Sequence, residues 1–113
     1  MLAEATVMRI LVVDDEEPIR DIIAAMLTSD GHYVETAANG DDAFRIYCEH
    51  YDQKLPFDFF LTGFALTGMH GIDLIDAILK KNPQQRWGLC TTRRNILFKP
   101  FERDELLAFI KQH

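Results

Sequence analysis

The chain contains 113 residues with a formal net charge of −6, and this length fits one domain over residues 1–113 without room for a second. The negative charge argues against binding to the phosphate backbone of a nucleic acid. No apolar run reaches the roughly 20 residues that span a bilayer, and the start of the chain lacks the pattern of a signal peptide. We therefore expect a cytoplasmic protein that binds neither nucleic acid nor membrane.

The first strand and the first helix have the clearest patterns. Arg9 to Val13 (RILVV) is a β-branched apolar run, which predicts a central strand that helices cover on both faces. Pro18 follows at a position that suits the first turn of a helix. Apolar residues then recur at the spacing of one helix face up to Leu27, and Gly31 suits the end of that helix.

The rest of the chain continues the alternation of strands and helices. Turn-forming pairs such as Asn39-Gly40 and Asn82-Pro83 separate the segments. The predicted elements are a strand at 33–37, a helix at 41–51, a strand at 57–62, a helix ending near residue 82, a strand at 86–91, a short strand at 96–98 and a helix at 102–111. This order predicts an α/β fold with a parallel sheet and right-handed crossovers.

Residues that carry chemistry occur where the predicted strands end. Ligand sites of open parallel sheets lie outside the carboxyl ends of the strands. The residues at or just beyond those ends are Asp14, Asp15, Gly63, Thr91 and Lys99. We therefore expect one functional site at this edge of the sheet.

Four motifs follow one another along the chain: ILVVDDEEPIR, NGDDAF, FDFFLTGFALTGMHGIDL and, near the end, Lys99-Pro100-Phe101. Together they resemble the receiver domain of bacterial response regulators of the chemotaxis-protein type, from Arg9 to the last predicted helix. The resemblance implies a flavodoxin-like parallel-sheet receiver fold. It also implies a role in two-component, phosphorelay signal transduction.

The resemblance implies roles for individual residues around a divalent metal. In the family an acidic pair after the first strand helps to hold the metal, and Asp14 and Asp15 match that pair. The backbone carbonyl of Ala65 matches a further ligand, and Gly63 occupies the position of the phosphoacceptor aspartate. We expect Mg²⁺ binding to be weak or lost, because hard cations depend on the charge of their ligands. In an alternative interpretation, the acidic pair and Lys99 form a charge cluster that neutralises itself.

Three more residues match the family's phosphate and switch positions. Thr91 matches the hydroxyl after the fourth strand, Lys99 matches the family's lysine, and Ile96 stands where relatives carry an aromatic switch residue. Gly63 has no nucleophile, so phosphorylation cannot start there. Thr62 is adjacent, but we expect it to face away from the acidic pair because successive strand side chains point to opposite faces. The sequence therefore predicts a protein that is not an enzyme and requires no cofactor.

The link between the fourth and fifth strands is shorter than the fold requires. Only residues 92–95 separate Thr91 from Ile96, whereas a parallel crossover usually needs about a dozen residues or more. The resemblance therefore implies a receiver fold truncated between strands 4 and 5, without its fourth helix. Three arrangements are open: residues 92–113 cross into a second protomer, the fourth strand is short or frayed, or the last strand is antiparallel. The apolar surface that the absent helix would cover favours association, and we expect a homodimer.

These departures favour a phosphorylation-independent protein-interaction and dimerisation module, whose partner is a sensor kinase or a downstream regulator. An alternative is a conventional phospho-accepting response regulator whose acceptor aspartate has been substituted at position 63. A small enzyme or flavin-type binder on the same architecture is disfavoured, because no glycine-rich phosphate loop follows the first strand.

Four residues outside these assignments have simpler interpretations. His70 is favoured as a surface histidine over a metal ligand, since a metal site needs several ligands. Trp87 is favoured as a packing residue over an anchor for a partner. Cys48 and Cys90 lack metal-ligand spacing and are expected to be reduced thiols, buried or half-buried.

Overall fold

The computed structural model of the protein describes residues 7–63, 66 and 68–90. Within them the elements are β1 (Arg9–Val13), α1 (Glu17–Ser29), β2 (Tyr33–Ala37), α2 (Gly40–Asp52), β3 (Phe59–Gly63), α3 (Gly71–Lys81) and β4 (Trp87–Cys90). None of these helices is long and apolar enough to cross a membrane. The predicted strand at 96–98, the predicted helix at 102–111 and the short link before them lie outside the described residues.

The described strands form one parallel sheet in the order β2-β1-β3-β4. On one side β1 pairs with β2, with Val13 opposite Ala37, and on the other side it pairs with β3, with Val13 opposite Thr62. In turn β3 pairs with β4, with Gly63 opposite Cys90. The predicted parallel α/β sheet is confirmed, and the carboxyl ends of these strands meet at one edge.

Helices cover both faces of the sheet, and an apolar core fills each face. The core on the α1 face consists of Ile10, Val12, Ile23, Leu27, Phe59 and Leu61. The core on the face covered by α2 and α3 includes Leu11, Val13, Tyr47, Phe60, Leu74 and Ile78. Successive residues of β1 thus enter different cores, which explains why the strand is apolar at consecutive positions.

The third strand begins two residues later than predicted. Phe57 is buried, which is why the run from this residue resembles a strand, but β3 is Phe59–Gly63. Asp58 lies between them, and its carboxylate accepts a hydrogen bond from the backbone N of Arg9 at 2.8 Å. The backbone N–H of Arg9 therefore donates to a side chain and not to a backbone carbonyl of a neighbouring strand. Similarly, β4 starts at Trp87 instead of at the predicted residue 86.

The ends of the first two helices follow from local chemistry. The helix α2 begins at Gly40, one residue earlier than predicted, because Asn39 caps it: the Asn39 side chain accepts from the backbone N of Asp42 at 2.8 Å. The helix α1 ends at Ser29, and Gly31 follows with a φ of 94°. That left-handed conformation is open to glycine at little cost.

A buried polar network joins α2 to the segment before β4. The hydroxyl of the fully buried Tyr47 donates to Oε1 of Gln85 at 2.7 Å. Nε2 of Gln85 donates to the backbone O of Arg86 at 3.0 Å, and Nδ2 of Asn82 donates to the Tyr47 oxygen at 3.4 Å. Burial raises the pKa of the Tyr47 phenol. The network fixes the start of β4 against α2.

Replacing Tyr47 with phenylalanine removes the donor to the buried Gln85 oxygen. We expect the free energy of unfolding to fall by about 1–3 kcal/mol, the usual cost of leaving a buried polar group without its partner. Urea unfolding at neutral pH measures the change. Tyr51→Phe is the matched control, because Tyr51 is half-buried and stacks on Tyr47 with ring centroids 6.1 Å apart. Equal losses in the two variants would contradict the role of the Tyr47 hydroxyl.

Candidate functional site at the carboxyl edge of the sheet

Asp14 directly follows β1 and is buried at the carboxyl edge, with 1% of its surface exposed. Its backbone N donates to the O of Ala37 at 3.1 Å, which extends the pairing of β1 with β2. Its Oδ1 accepts from the backbone N of Glu16 at 2.9 Å. A buried carboxylate needs such donors, and these contacts fix the orientation of Asp14. The second member of the acidic pair, Asp15, is exposed.

Arg20, in the first half of α1, reaches back to the same residue. Its Nη1 donates to the backbone O of Asp14 at 2.8 Å. The backbone N of Arg20 donates to the O of Glu16 at 2.9 Å, so the helix holds the arginine in place. A guanidinium therefore lies beside Asp14. Arg20 is not among the predicted site residues, because a contact between a helix side chain and a backbone carbonyl six positions earlier has no periodic signal in the sequence.

Gly63 ends β3 beside Asp14, and a side chain at this position would point toward the Asp14 carboxylate. Because Val13 is opposite Thr62, Asp14 and Gly63 are the next residues along two adjacent strands. A Cβ atom on Gly63 would lie 3.5 Å from Oδ2 of Asp14 and 3.5 Å from Cδ2 of the buried Leu66. Both are ordinary van der Waals distances, so the site has room for a Cβ atom.

Thr62 has the opposite orientation along the strand. It is fully buried, and its hydroxyl donates to the backbone O of Gly63 at 3.0 Å. Phe60 belongs to the core under α2 and α3, whereas Leu61 belongs to the core under α1. By this alternation Thr62 lies on the α2 and α3 face and Gly63 on the α1 face, in agreement with the prediction that Thr62 faces away from the acidic pair.

The loop after β3 packs tightly against the start of α2. A Cβ atom on Gly40 would overlap the carbonyl oxygen of Met69 and lie 2.7 Å from the Met69 Cβ. Gly68 has a φ of 78°, and a Cβ atom there would lie 2.8 Å from Oδ2 of Asp41. The backbone of Met69 leaves no room for a side chain on Gly40, and the positive φ of Gly68 favours glycine, so the loop near Gly63 packs closely against the start of α2.

The described side chains at this edge do not by themselves fit a metal ion. Among residues 7–63, 66 and 68–90, no group of three or more His, Cys, Asp and Glu side chains is arranged to hold one. Asp14 and Asp15 supply carboxylates, but Gly63 supplies no side-chain oxygen, and Mg²⁺ needs near-octahedral oxygen coordination. The other predicted site residues, Ala65, Thr91, Ile96 and Lys99, lie outside the described residues, and their roles stay predictions.

The remaining single residues occupy ordinary structural positions. His70 is exposed at the N-cap position of α3 and makes no side-chain capping hydrogen bond there. Trp87 is half-buried and packs against the core under α2 and α3. Cys48 is half-buried, and burial raises the pKa of its thiol. The side chain of Cys90 lies outside the part of the chain that the structure describes.

A parallel sheet of strand order β2-β1-β3-β4 with helices on both faces is the doubly wound arrangement of flavodoxin-like folds, and the buried carboxylate of Asp14 lies at the end of its central first strand. The family model of the response regulator receiver domain matches residues 10–96, and the chain belongs to that family. Receiver domains are signalling modules of two-component systems that interact with kinases or other proteins.

Known structures and sequences agree with this assignment. A response regulator receiver domain from Clostridium thermocellum has a TM-score of 0.83 at 25% identity, over 94% of this chain and 93% of that chain. The chemotaxis response regulator CheY4 of Vibrio cholerae has a TM-score of 0.82 at 25% identity, over 95% of this chain and 98% of that chain. An NtrX-like response regulator of Rickettsia bellii is 32% identical over 91% of this chain. The chain spans 24% of the length of that relative.

Alanine at position 40 places a Cβ atom on the Met69 carbonyl, so either the loop or the start of α2 must move. We expect the free energy of unfolding to fall by about 1–3 kcal/mol, as for other overpacked sites. Gly63→Ala is the matched control, since it makes the same chemical change where there is room, and we expect a change within about 1 kcal/mol. Urea unfolding followed by circular dichroism measures both. A larger loss at position 63 than at position 40 would contradict the close approach.

Proposed function

We propose that this receiver domain of two-component signalling works without phosphorylation at position 63, as a protein-interaction and dimerisation module. Its partner is a sensor kinase or a downstream regulator, and its location is cytoplasmic. The proposal rests on one feature of the site, the glycine beside the buried carboxylate of Asp14.

The position of Gly63 carries the proposal. By the family resemblance, the end of β3 is where relatives carry the aspartate that accepts the phosphoryl group. Here a Cβ atom on Gly63 would lie 3.5 Å from Oδ2 of Asp14, but glycine has no side chain at that place. Phosphoryl transfer to position 63 needs a nucleophilic side chain there. Glycine supplies none, so we assign no catalytic residue and expect no enzymatic activity.

Neighbouring oxygens do not replace the absent nucleophile. Asp14 is buried, and its Oδ1 accepts a hydrogen bond from the backbone N of Glu16 within its own turn. Thr62 is buried, and its hydroxyl donates to the backbone O of Gly63. Both groups are held by local hydrogen bonds on either side of the position that the acceptor would occupy.

We expect Mg²⁺ to bind weakly and no other cofactor to be required. Receiver domains typically bind this ion at the acceptor site. Here Asp14 and Asp15 would hold it with the backbone carbonyl of Ala65, as the resemblance implies, while Gly63 removes one carboxylate. The affinity falls because a hard cation depends on the number and charge of its oxygen ligands.

A conventional phospho-accepting regulator, substituted at position 63, is the second candidate. The room for a Cβ atom beside Asp14 favours it, since the site still accommodates a side chain. A single substitution, however, does not account for Ile96 at the aromatic switch position or for the short link of residues 92–95 between the predicted fourth and fifth strands. We therefore favour the phosphorylation-independent function.

We also propose a homodimer, formed by exchange of residues 92–113 or by association of the surface that an absent fourth helix leaves uncovered. One observation supports it. Only residues 92–95 separate the predicted fourth and fifth strands, fewer than a parallel crossover usually needs.

Incubation with acetyl phosphate and Mg²⁺ tests the proposal that the site is not phosphorylated. We expect intact-mass spectrometry, read promptly because acyl phosphates hydrolyse, to show no phosphorylated species for the wild-type chain. Gly63→Asp restores a carboxylate at the position, and we expect it to gain the mass of one phosphoryl group. Gly63→Asn has nearly the same shape without a nucleophile and should stay unmodified.

Two results would overturn this interpretation. Stoichiometric phosphorylation of the wild-type chain would mean that another residue accepts the phosphoryl group. Failure of the folded Gly63→Asp variant to react would mean that the glycine is not the reason for the absence of phosphorylation.

Light scattering at micromolar concentration tests the proposed dimer. We expect the mass of two chains, because an uncovered apolar surface drives association. A strict monomer over this concentration range would contradict the dimer without affecting the phosphorylation experiment.

A further inference from the structure

Two histidine rings contact consecutive residues at the start of β1, at the amino edge of the sheet. Nδ1 of His32, just before β2, lies 3.0 Å from the backbone N of Met8. Nδ1 of His50, near the end of α2, lies 2.9 Å from Nη2 of Arg9. A backbone amide and a guanidinium donate and cannot accept. Both Nδ1 atoms are therefore hydrogen-bond acceptors.

An imidazole that accepts through Nδ1 is neutral and carries its proton on Nε2. In each ring this second nitrogen faces a carboxylate. Nε2 of His32 lies 3.6 Å from Oδ2 of Asp30, and Nε2 of His50 lies 4.0 Å from Oε2 of Glu35. A proton taken up at Nδ1 abolishes the acceptor, while the charged ring gains an ion-pair partner at its other nitrogen. Protonation of each ring thus breaks its hydrogen bond to the start of β1 and strengthens its attraction to the carboxylate.

The surroundings of His50 come from β1, from β2 and from the segment that precedes β3. From β1, the guanidinium of Arg9 lies over the ring of Tyr33 at 4.4 Å. From β2, the Tyr33 hydroxyl donates to Oε2 of Glu35, the oxygen that also faces His50. That hydrogen bond is the main reason that the pKa of Tyr33 is raised. The ring of Phe57 packs on His50 at 4.7 Å between centroids.

Other charged groups on the neighbouring elements contact other partners or lie in a turn. Asp58 accepts from the backbone N of Arg9, and on α2 the carboxylate of Glu49 pairs with Arg45 at 3.4 Å. Lys54 lies in the turn after α2. Around His32, the facing charged group is the carboxylate of Asp30. The Arg9 guanidinium is therefore the cation in contact with His50, and Glu35 is the carboxylate within ion-pair distance of it.

We propose that His32 and His50 form a pair of latches that protonation releases. The neutral ring of His32 holds Met8, and the neutral ring of His50 holds Arg9, at the start of β1. Met8 is fixed from both sides, because its O also accepts from the backbone N of Tyr33 at 2.9 Å. Loss of the His32 acceptor leaves the Met8 N–H without that bond. Protonation of His50 turns an acceptor for Arg9 into a second cation beside it. The start of β1 loosens, while the cores under the helices remain packed.

The wild-type chain tests the first part of the proposal without any variant. Long-range ¹H–¹⁵N spectra at about pH 8 should show His32 and His50 as neutral rings with the proton on Nε2. A proton on Nδ1 of either neutral ring would overturn the proposal, because that tautomer cannot accept from Met8 or Arg9.

Acidification from about pH 8 to about pH 5, the range in which histidines commonly change charge, tests the release. We expect the exchange protection of the Met8 amide, corrected for the intrinsic rate, to fall about five- to tenfold as one hydrogen bond is lost. The Arg9 side-chain signals should lose their protection over the same pH range. Protection of Met8 that is the same at both ends of the range would overturn the proposal.

Asparagine variants separate the two latches. Asn presents an acceptor near the position of Nδ1 but does not titrate, so His32→Asn should remove the pH dependence at Met8 and His50→Asn should remove it at Arg9. His70→Asn is the control, because His70 is exposed on the opposite edge and should leave both dependences unchanged. Unchanged pH dependence in the first two variants, or its loss in the control, would contradict the proposal.

Discussion

The register between β1 and β3 is the constraint on which the rest of the structure depends. Val13 lies opposite Thr62, so Asp14 and Gly63 meet at the carboxyl edge. Both faces of β1 are buried under helices, and a slip of one residue would turn every side chain toward the wrong core. The apolar sequence of β1 thus fixes which residues face one another beyond the strand ends, although neither Asp14 nor Gly63 belongs to the two apolar cores.

A parallel sheet also separates two kinds of chemistry between its two edges. At the carboxyl edge, Asp14 lies beside Arg20 and the glycine of β3. At the amino edge, two histidines, an arginine and aromatic rings surround the start of β1. The same strand joins both edges, since Arg9 is its first residue and Asp14 directly follows its last. Its five residues set the distance between the two groups.

Much of this architecture is predictable from the sequence, and the exceptions have physical causes. Periodicity and turn residues predict the strands and helices because each pattern acts over a few neighbours. The start of β3 is mispredicted because Phe57 is buried without being in a strand. Arg20 at the Asp14 carbonyl, and Met69 against Gly40, are missed because contacts of this kind have no periodic signal. The contacts of His32 and His50 join residues 24 and 41 positions apart, beyond the reach of any local pattern.

The space beside Gly63 has a consequence for how such a chain evolves. A Cβ atom fits there at ordinary contact distances from Asp14 and Leu66, so the backbone of β3 does not have to move to accept it. Glycine codons lie one base change away from codons for aspartate or glutamate. A single point mutation can therefore bring a carboxylate to the end of β3 at a position where the first atom of its side chain has room.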